Sequence, residues 1–164
     1  MAPAVALAQV TVSFRLADGG SYPAVERASL AVADGEFVAI VGPTGCGKST
    51  LLNVAAGLVG PSSGGIEIFG APLTGINRQA GYLFQADALL PWKTALENVA
   101  IGLETAGIAH AQARERAQAW LSRVGLAGFG ARYPHMLSGG QRKRIAIARS
   151  IIKKPQILIR VAAD

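Results

Sequence analysis

The stretch Gly42-Pro43-Thr44-Gly45-Cys46-Gly47-Lys48-Ser49 follows a continuous apolar run, Phe37 to Val41, and leads into Leu51, Leu52, Ala55 and Leu58. The run before it predicts a strand buried on both faces. The three- and four-residue apolar steps after it predict a helix from about Lys48 to Gly57 or soon after. Strand, glycine loop and helix in that order are the context in which the pattern G-x-x-x-x-G-K-[ST] carries meaning. Glycines let the backbone fold back so that consecutive N–H groups face an anion, and the helix N-terminus adds a favourable potential. Lys48 then supplies a point charge for β- and γ-phosphates, while the Ser49 hydroxyl is a hard oxygen suited to Mg²⁺. The four fixed positions would arise by chance in about one chain of this length in a hundred. A phosphate-bearing nucleotide is the expected ligand, but kinases, GTPases and many ATPases use such a loop, so the reaction stays open.

Outward from the loop, the N-terminal side shows short apolar pieces (Val10, Val12, Phe14; Leu30, Val32) around Asp18-Gly19-Gly20, closed by Asp34-Gly35. These predict strands joined by turns. On the C-terminal side, a loop at Gly60 to Gly65 precedes a strand at Ile66 to Phe69 that ends at Gly70, and Tyr82 to Phe84 is a further short strand. Thr94 to Ala106 and Ala111 to Val124 are Ala-rich with helical apolar spacing, which predicts two consecutive helices. Ser138 stands three residues before Gln141, a capping-box spacing, and opens a basic helix with apolar positions Ile145, Ala148 and Ile152. Gln156 to Ile159 is the last predicted buried strand.

With 164 residues, 51% hydrophobic and 16% charged, the chain has material for one compact core and little room for a second. No run approaches the 18 or so apolar residues of a spanning helix. Met1 to Val10 lacks a basic stretch ahead of an apolar one, so a secretory leader is not expected and the cytoplasm is. Cys46 is the single cysteine. It can close no internal disulfide, and it lies in the glycine loop, outside any metal-ligand spacing. The net charge of +6 permits nucleic acid, anionic lipid or a polyanionic nucleotide as partner. The basic residues from Arg142 to Lys154 have no interleaved aromatics of the kind that stack bases. They read as a solvated helix face, with no nucleic acid expected.

Leu137-Ser138-Gly139-Gly140-Gln141, followed by Arg142-Lys143-Arg144, resembles the signature sequence of the ABC ATPases. Five such fixed residues would arise by chance on the order of once in several thousand chains. A serine hydroxyl and N–H groups at a helix start form an anion site whatever the family. The resemblance runs from Val10 to Ile159. It implies an α/β fold, a P-loop NTPase of ABC ATPase type with an N-terminal antiparallel β part, a helical insert at about residues 86–137 and the C-terminal portion missing. Residues 1–164 would then be a single, incomplete ATP-binding domain. The resemblance implies ATP and Mg²⁺ as cofactors, bound by Gly42, Pro43, Thr44, Gly45, Cys46, Gly47, Lys48, Ser49 and Thr50. Leu137, Ser138, Gly139, Gly140 and Gln141 would contact the γ-phosphate held by the opposite subunit of a head-to-tail dimer. Gln85 stands where the family has the glutamine that approaches Mg²⁺ and the attacking water, making it the one catalytic candidate and, with Ser49, a metal candidate. Phe14 matches the aromatic that stacks on adenine, with Tyr22 as the alternative.

The segment Phe84-Gln85-Ala86-Asp87-Ala88-Leu89-Leu90-Pro91-Trp92-Lys93-Thr94, with Glu97-Asn98-Val99 after it, looks most like the nitrate, sulfonate and taurine importer group. That likeness implies membrane-spanning permease subunits as partners, a periplasmic or extracellular solute-binding protein indirectly, and a place on the inner face of the cell membrane. The family pattern then fails. Pro155 and Gln156-Ile157-Leu158-Ile159 fit, Arg160 interrupts the strand, and Val161, Ala162 and Ala163 stand where the family has Asp-Glu-Pro. His135 precedes the signature and is no substitute for the switch histidine. The expectation is therefore an importer ATPase subunit, cut short by truncation or frameshift, whose 164 residues alone do not hydrolyse ATP. An ATP-binding module without turnover and a soluble ABC protein unconnected to a membrane are the alternatives.

Overall fold

The turn at residues 16–20 sets up the first hairpin. Gly19 sits at φ 85, the Asp18 carboxylate accepts from the Gly20 N–H at 2.9 Å, and the Leu16 N–H donates to the Gly20 carbonyl at 2.9 Å. On either side run β1 (Val5–Arg15) and β2 (Ser21–Val32), antiparallel. The computed structural model describes residues 2–161, and the chain divides into two compact units, one ending at Arg78 and one beginning at Gln79.

In the first unit, β3 (Ser63–Ile68) and β4 (Ala71–Pro72) complete an antiparallel sheet of order β2-β1-β3-β4. Val5 and Leu7 are buried, and so are Val10 and Val12, although strict alternation from Leu7 would turn the latter pair outward. A register shift between Leu7 and Val10 resets the parity, which is what a bulge does. Around this irregular stretch, hydroxyls stand in for ladder partners: Ser29 Oγ accepts from the Gln9 N–H and Thr11 Oγ1 from the Arg27 N–H, each at 3.0 Å. Helix α1 (Lys48–Ala55) contributes Val54 and Ala55 to the buried set and stops short of the expected Gly57, which follows the cap residue Ala56 at φ 69. Buried Asn77 secures that end, donating its N–H to Ala56 O at 3.0 Å and Nδ2 to Ala55 O at 3.1 Å.

In the second unit, β5 (Ala80–Leu83) pairs in parallel with β6 (Ile157–Arg160), while α2 (Ala95–Glu104), α3 (His110–Arg123) and α4 (Gly139–Ile151) pack together. Alanines at contact positions (Ala95, Ala113, Ala117 and Ala148) are fully buried beside Val99, Leu121 and Ile145, which lets the helices approach closely.

Two strand expectations fail. Phe37 to Val41 forms no strand, and Phe37 and Val41 are 92% and 88% exposed. An apolar run becomes a buried strand only when another strand pairs with it, and no described residue does so. The final strand is shifted by one residue and is not buried throughout: Ile159 is buried, but Leu158 is 53% exposed. Arg160 does not interrupt it. Arg160 lies in register with Leu83, and the Val161 N–H donates onward to Leu83 O at 3.0 Å. Ala162, Ala163 and Asp164 lie outside the described residues. No helix among the described residues is long and apolar enough to cross a membrane.

Candidate functional site

The glycine loop is shaped by two residues that need the left-handed region, Gly45 at φ 82 and Gly47 at φ 92. Gly47 is doubly constrained, because a Cβ there would collide with the carbonyl oxygen of Ala24 and stand 3.0 Å from Val25 Cγ2. Gly47 is also the N-cap of α1, and it brings no side-chain cap. The helix therefore begins at the loop with no side-chain cap bond at its positive end, which favours an anion there. Lys48 folds over the same turn, its Nζ donating to Gly42 O at 2.6 Å and Pro43 O at 2.9 Å. Its charge is thus held at the loop. Pro43, Thr44, Cys46 and Ser49 are exposed around it, and Thr50 is half-buried. The exposed Ser49 hydroxyl is the hard oxygen type that Mg²⁺ takes alongside phosphate oxygens, so this donor set fits a nucleotide-borne Mg²⁺. Among the described residues no cluster of three His, Cys, Asp or Glu could hold a metal without such a ligand.

Phe14 and Tyr22, proposed as alternatives, face each other across β1 and β2 in register, 44% and 53% exposed. The same patch therefore carries both aromatics.

In the second unit, Gln85 is exposed, just beyond the end of β5. Leu137 is anchored in the core at 5% exposure, while Ser138, Gly139 and Gly140 are exposed at the start of α4. The expected capping box is present: Ser138 Oγ accepts from the Gln141 N–H at 3.3 Å, and Gln141 Oε1 accepts from the Ser138 N–H at 2.8 Å.

The basic segment is not simply a solvated face. Arg142 Nε pairs with Asp87 Oδ2 at 3.0 Å, and its Nη1 donates to Leu137 O at 2.8 Å. Arg149, whose pKa burial lowers from its ordinary value, donates Nη1 to Ala88 O at 2.7 Å. Both reach the segment just after Gln85, so helical periodicity alone could not reveal them.

Sequence reasoning also missed Asn98, fully buried on α2. Its Oδ1 accepts from the Leu90 N–H at 2.8 Å, and Nδ2 donates to the carbonyls of Leu90, Lys93 and Thr94. One amide thereby pins the whole Leu90-Pro91-Trp92-Lys93-Thr94 bend and leaves Trp92 70% exposed. A second capping box was readable from Thr94-x-x-Glu97: Thr94 Oγ1 accepts from the Glu97 N–H at 3.3 Å, and Glu97 Oε2 accepts from the Thr94 N–H at 2.8 Å. The Thr94 backbone bond first, then its hydroxyl, hold the Glu97 carboxyl below its ordinary pKa.

The sequence pattern of the ABC transporter family matches residues 25–160, and the chain belongs to that family. A protein of Brucella abortus (strain 2308) described as ATP-binding is 47% identical over 85% of this chain and 54% of its own length. The taurine import ATP-binding protein TauB of Escherichia coli (strain K12) is 44% identical over 90% of this chain and 58% of its own. The chain thus spans a little over half the length of these curated relatives. A dimeric ATP-binding cassette in a post-hydrolysis state, bound to ADP and Pi, superposes with a TM-score of 0.83 at 33% identity, over 94% of this chain and 72% of that one. The fold is that of an ABC ATPase cassette, with its antiparallel sheet and α1 in the first unit and α2, α3 and α4 in the second.

Proposed function

We propose that the chain is the ATP-binding subunit of an ABC importer, of the kind that carries taurine or a related sulfonate. The observation that carries the reading is the uncapped α1 N-terminus with Lys48 folded over it, a built anion site in the nucleotide-loop motif. The relatives' names supply the solute class. Gly42 to Thr50 would bind the phosphates of ATP, Ser49 and Gln85 would hold Mg²⁺, and Gln85 would face the attacking water. Leu137 to Gln141 would close over ATP on a second copy in a head-to-tail dimer, and Phe14 or Tyr22 would stack on adenine. Residues 86–137 would form the helical insert of a single ATP-binding domain. Permease subunits would hold the protein at the cytoplasmic face of the membrane, with a solute-binding protein acting through them.

Val161 favours a narrower reading for these 164 residues: binding without turnover. Phosphoryl transfer to water needs carboxylates that neutralise charge and position the nucleophile, and Val161 and Ala162 offer neither. Titration of the chain with a fluorescent ATP analogue in Mg²⁺ should saturate, while phosphate release stays at background. Failure to saturate would remove the nucleotide assignment, and phosphate release that disappears with Lys48→Ala would remove the claim of no turnover.

A further inference from the structure

We propose that Arg142 is a positioning residue that latches the loop carrying Gln85 to the start of the signature helix, so that the two segments shift together. The inference deepens the function proposed above and rests on it for the meaning of Gln85 and Ser138. Its geometry stands by itself. Arg142 lies one residue after Gln141 in the first turn of α4, and Asp87 lies two residues after Gln85; these two side chains meet at 3.0 Å although 55 positions separate them. The same guanidinium donates to the carbonyl of Leu137, the residue directly ahead of the Ser138 cap, at 2.8 Å. One planar cation with donors in a fixed fork therefore binds a side chain of one segment and the backbone of the other at once.

Further along α4, Arg149 holds the neighbouring carbonyl, Ala88 O, at 2.7 Å, so the loop is tied to the helix at two consecutive residues. The Arg142–Asp87 pair is only partly buried, with side chains 37% and 20% exposed, and such pairs add little to stability. Its effect is on position. Leu137 is anchored in the core, so a displacement of residues 85–88 pulls on the guanidinium against a fixed point and tilts the Leu137 carbonyl and the Ser138 cap that follows. A change at Gln85 thus reaches the site that closes on a partner's nucleotide, with no contact to either nucleotide required of the arginine.

The test is backbone amide exchange on the whole chain, read at Ser138 and Gln141, whose N–H groups form the capping box, and at residues 86–88. Asp87→Asn should raise exchange at Ser138 and Gln141 about two- to fivefold, the range expected for loss of such a pair. Arg142→Lys should do the same, because a point charge cannot hold both partners. Adding Arg142→Gln to Asp87→Asn should bring little further change, whereas Lys143→Gln should match the unmodified chain. Loosening confined to residues 86–88 in Asp87→Asn, with the capping box unmoved, overturns the latch, as does simple additivity in the double variant. Asp87→Asn changes only a partly exposed side chain, so the test survives if Arg142 variants fold poorly. An ATP titration of the same samples separates the two readings: coupled exchange without ATP binding sinks the nucleotide function alone, and ATP binding with uncoupled exchange sinks the latch alone.

Discussion

The glycine loop at α1 and the signature segment at α4 both open helices, yet they treat their exposed N–H groups in opposite ways. At α1 the cap is a glycine with no side chain to offer, and the cation beside it, Lys48, bonds to loop carbonyls. At α4 the Ser138 hydroxyl and the Gln141 amide already satisfy each other's backbone. The first is an anion site in waiting. The second is self-satisfied until a phosphate from outside the chain competes for the serine, which suits a segment proposed to act on a partner's nucleotide and not on its own.

If that contrast holds, Lys48→Ala should have the largest effect, abolishing ATP binding, because it removes the cation bonded to the loop carbonyls of Gly42 and Pro43. Isothermal titration would show it, and unchanged affinity would count decisively against the site. Next in size, Gly47→Ala should lower stability by roughly 2 kcal/mol or more, since it adds a collision with Ala24 to the strain of a left-handed alanine. Gly45→Ala, with the same sign of φ but open space around it, should cost only the strain, and thermal melts of the two variants would separate the terms. Ser138→Ala should cost about 1 kcal/mol of stability while leaving ATP affinity of the isolated chain unchanged. A loss of affinity there would erase the distinction between the two helix starts.

The smallest effect sharpens a comparison between the two capping boxes. Gln141 cannot titrate, but Glu97 can, and its carboxyl is held below the ordinary value of 4.5 by Thr94. A depressed carboxyl contributes stability that is fully present above its unfolded pKa and is lost as pH falls through the folded one. The start of α2 should therefore fray in acid below about pH 4.5 while α4 does not. Glu97→Gln should flatten that part of the stability profile, and exchange at the Glu97 and Gln141 amides measured against pH would report each box separately.

How much was legible follows the range of the interactions. The start of α1, the Ser138–Gln141 box and the approximate extents of α2 and α3 depend on bonds spanning three or four residues or on one glycine's φ, and each could be placed from the chain alone, whereas α1 stops at Ala55, short of the expected Gly57, where the distant Asn77 holds its end. Phe37 to Val41 could not, because its apolar run says only that it would suit a buried strand and nothing about whether a neighbour pairs with it. Arg142 and Arg149 looked like solvated charge for a similar reason, as periodicity places a residue on a helix face without saying what that face meets.

The amino-acid sequence by itself determined the glycine loop proposed to bind phosphate, because glycine freedom, a lysine and a helix start are contiguous there and need no distant partner. It also determined the family, through two motifs too specific to arise together by chance. Only the tertiary structure decided that Asn98 pins the bend bearing Trp92, that Phe14 and Tyr22 share one patch, and that Asp87 answers to Arg142. Those are meetings of side chains brought together by turns, strand register and helix packing, and no local spacing encodes them.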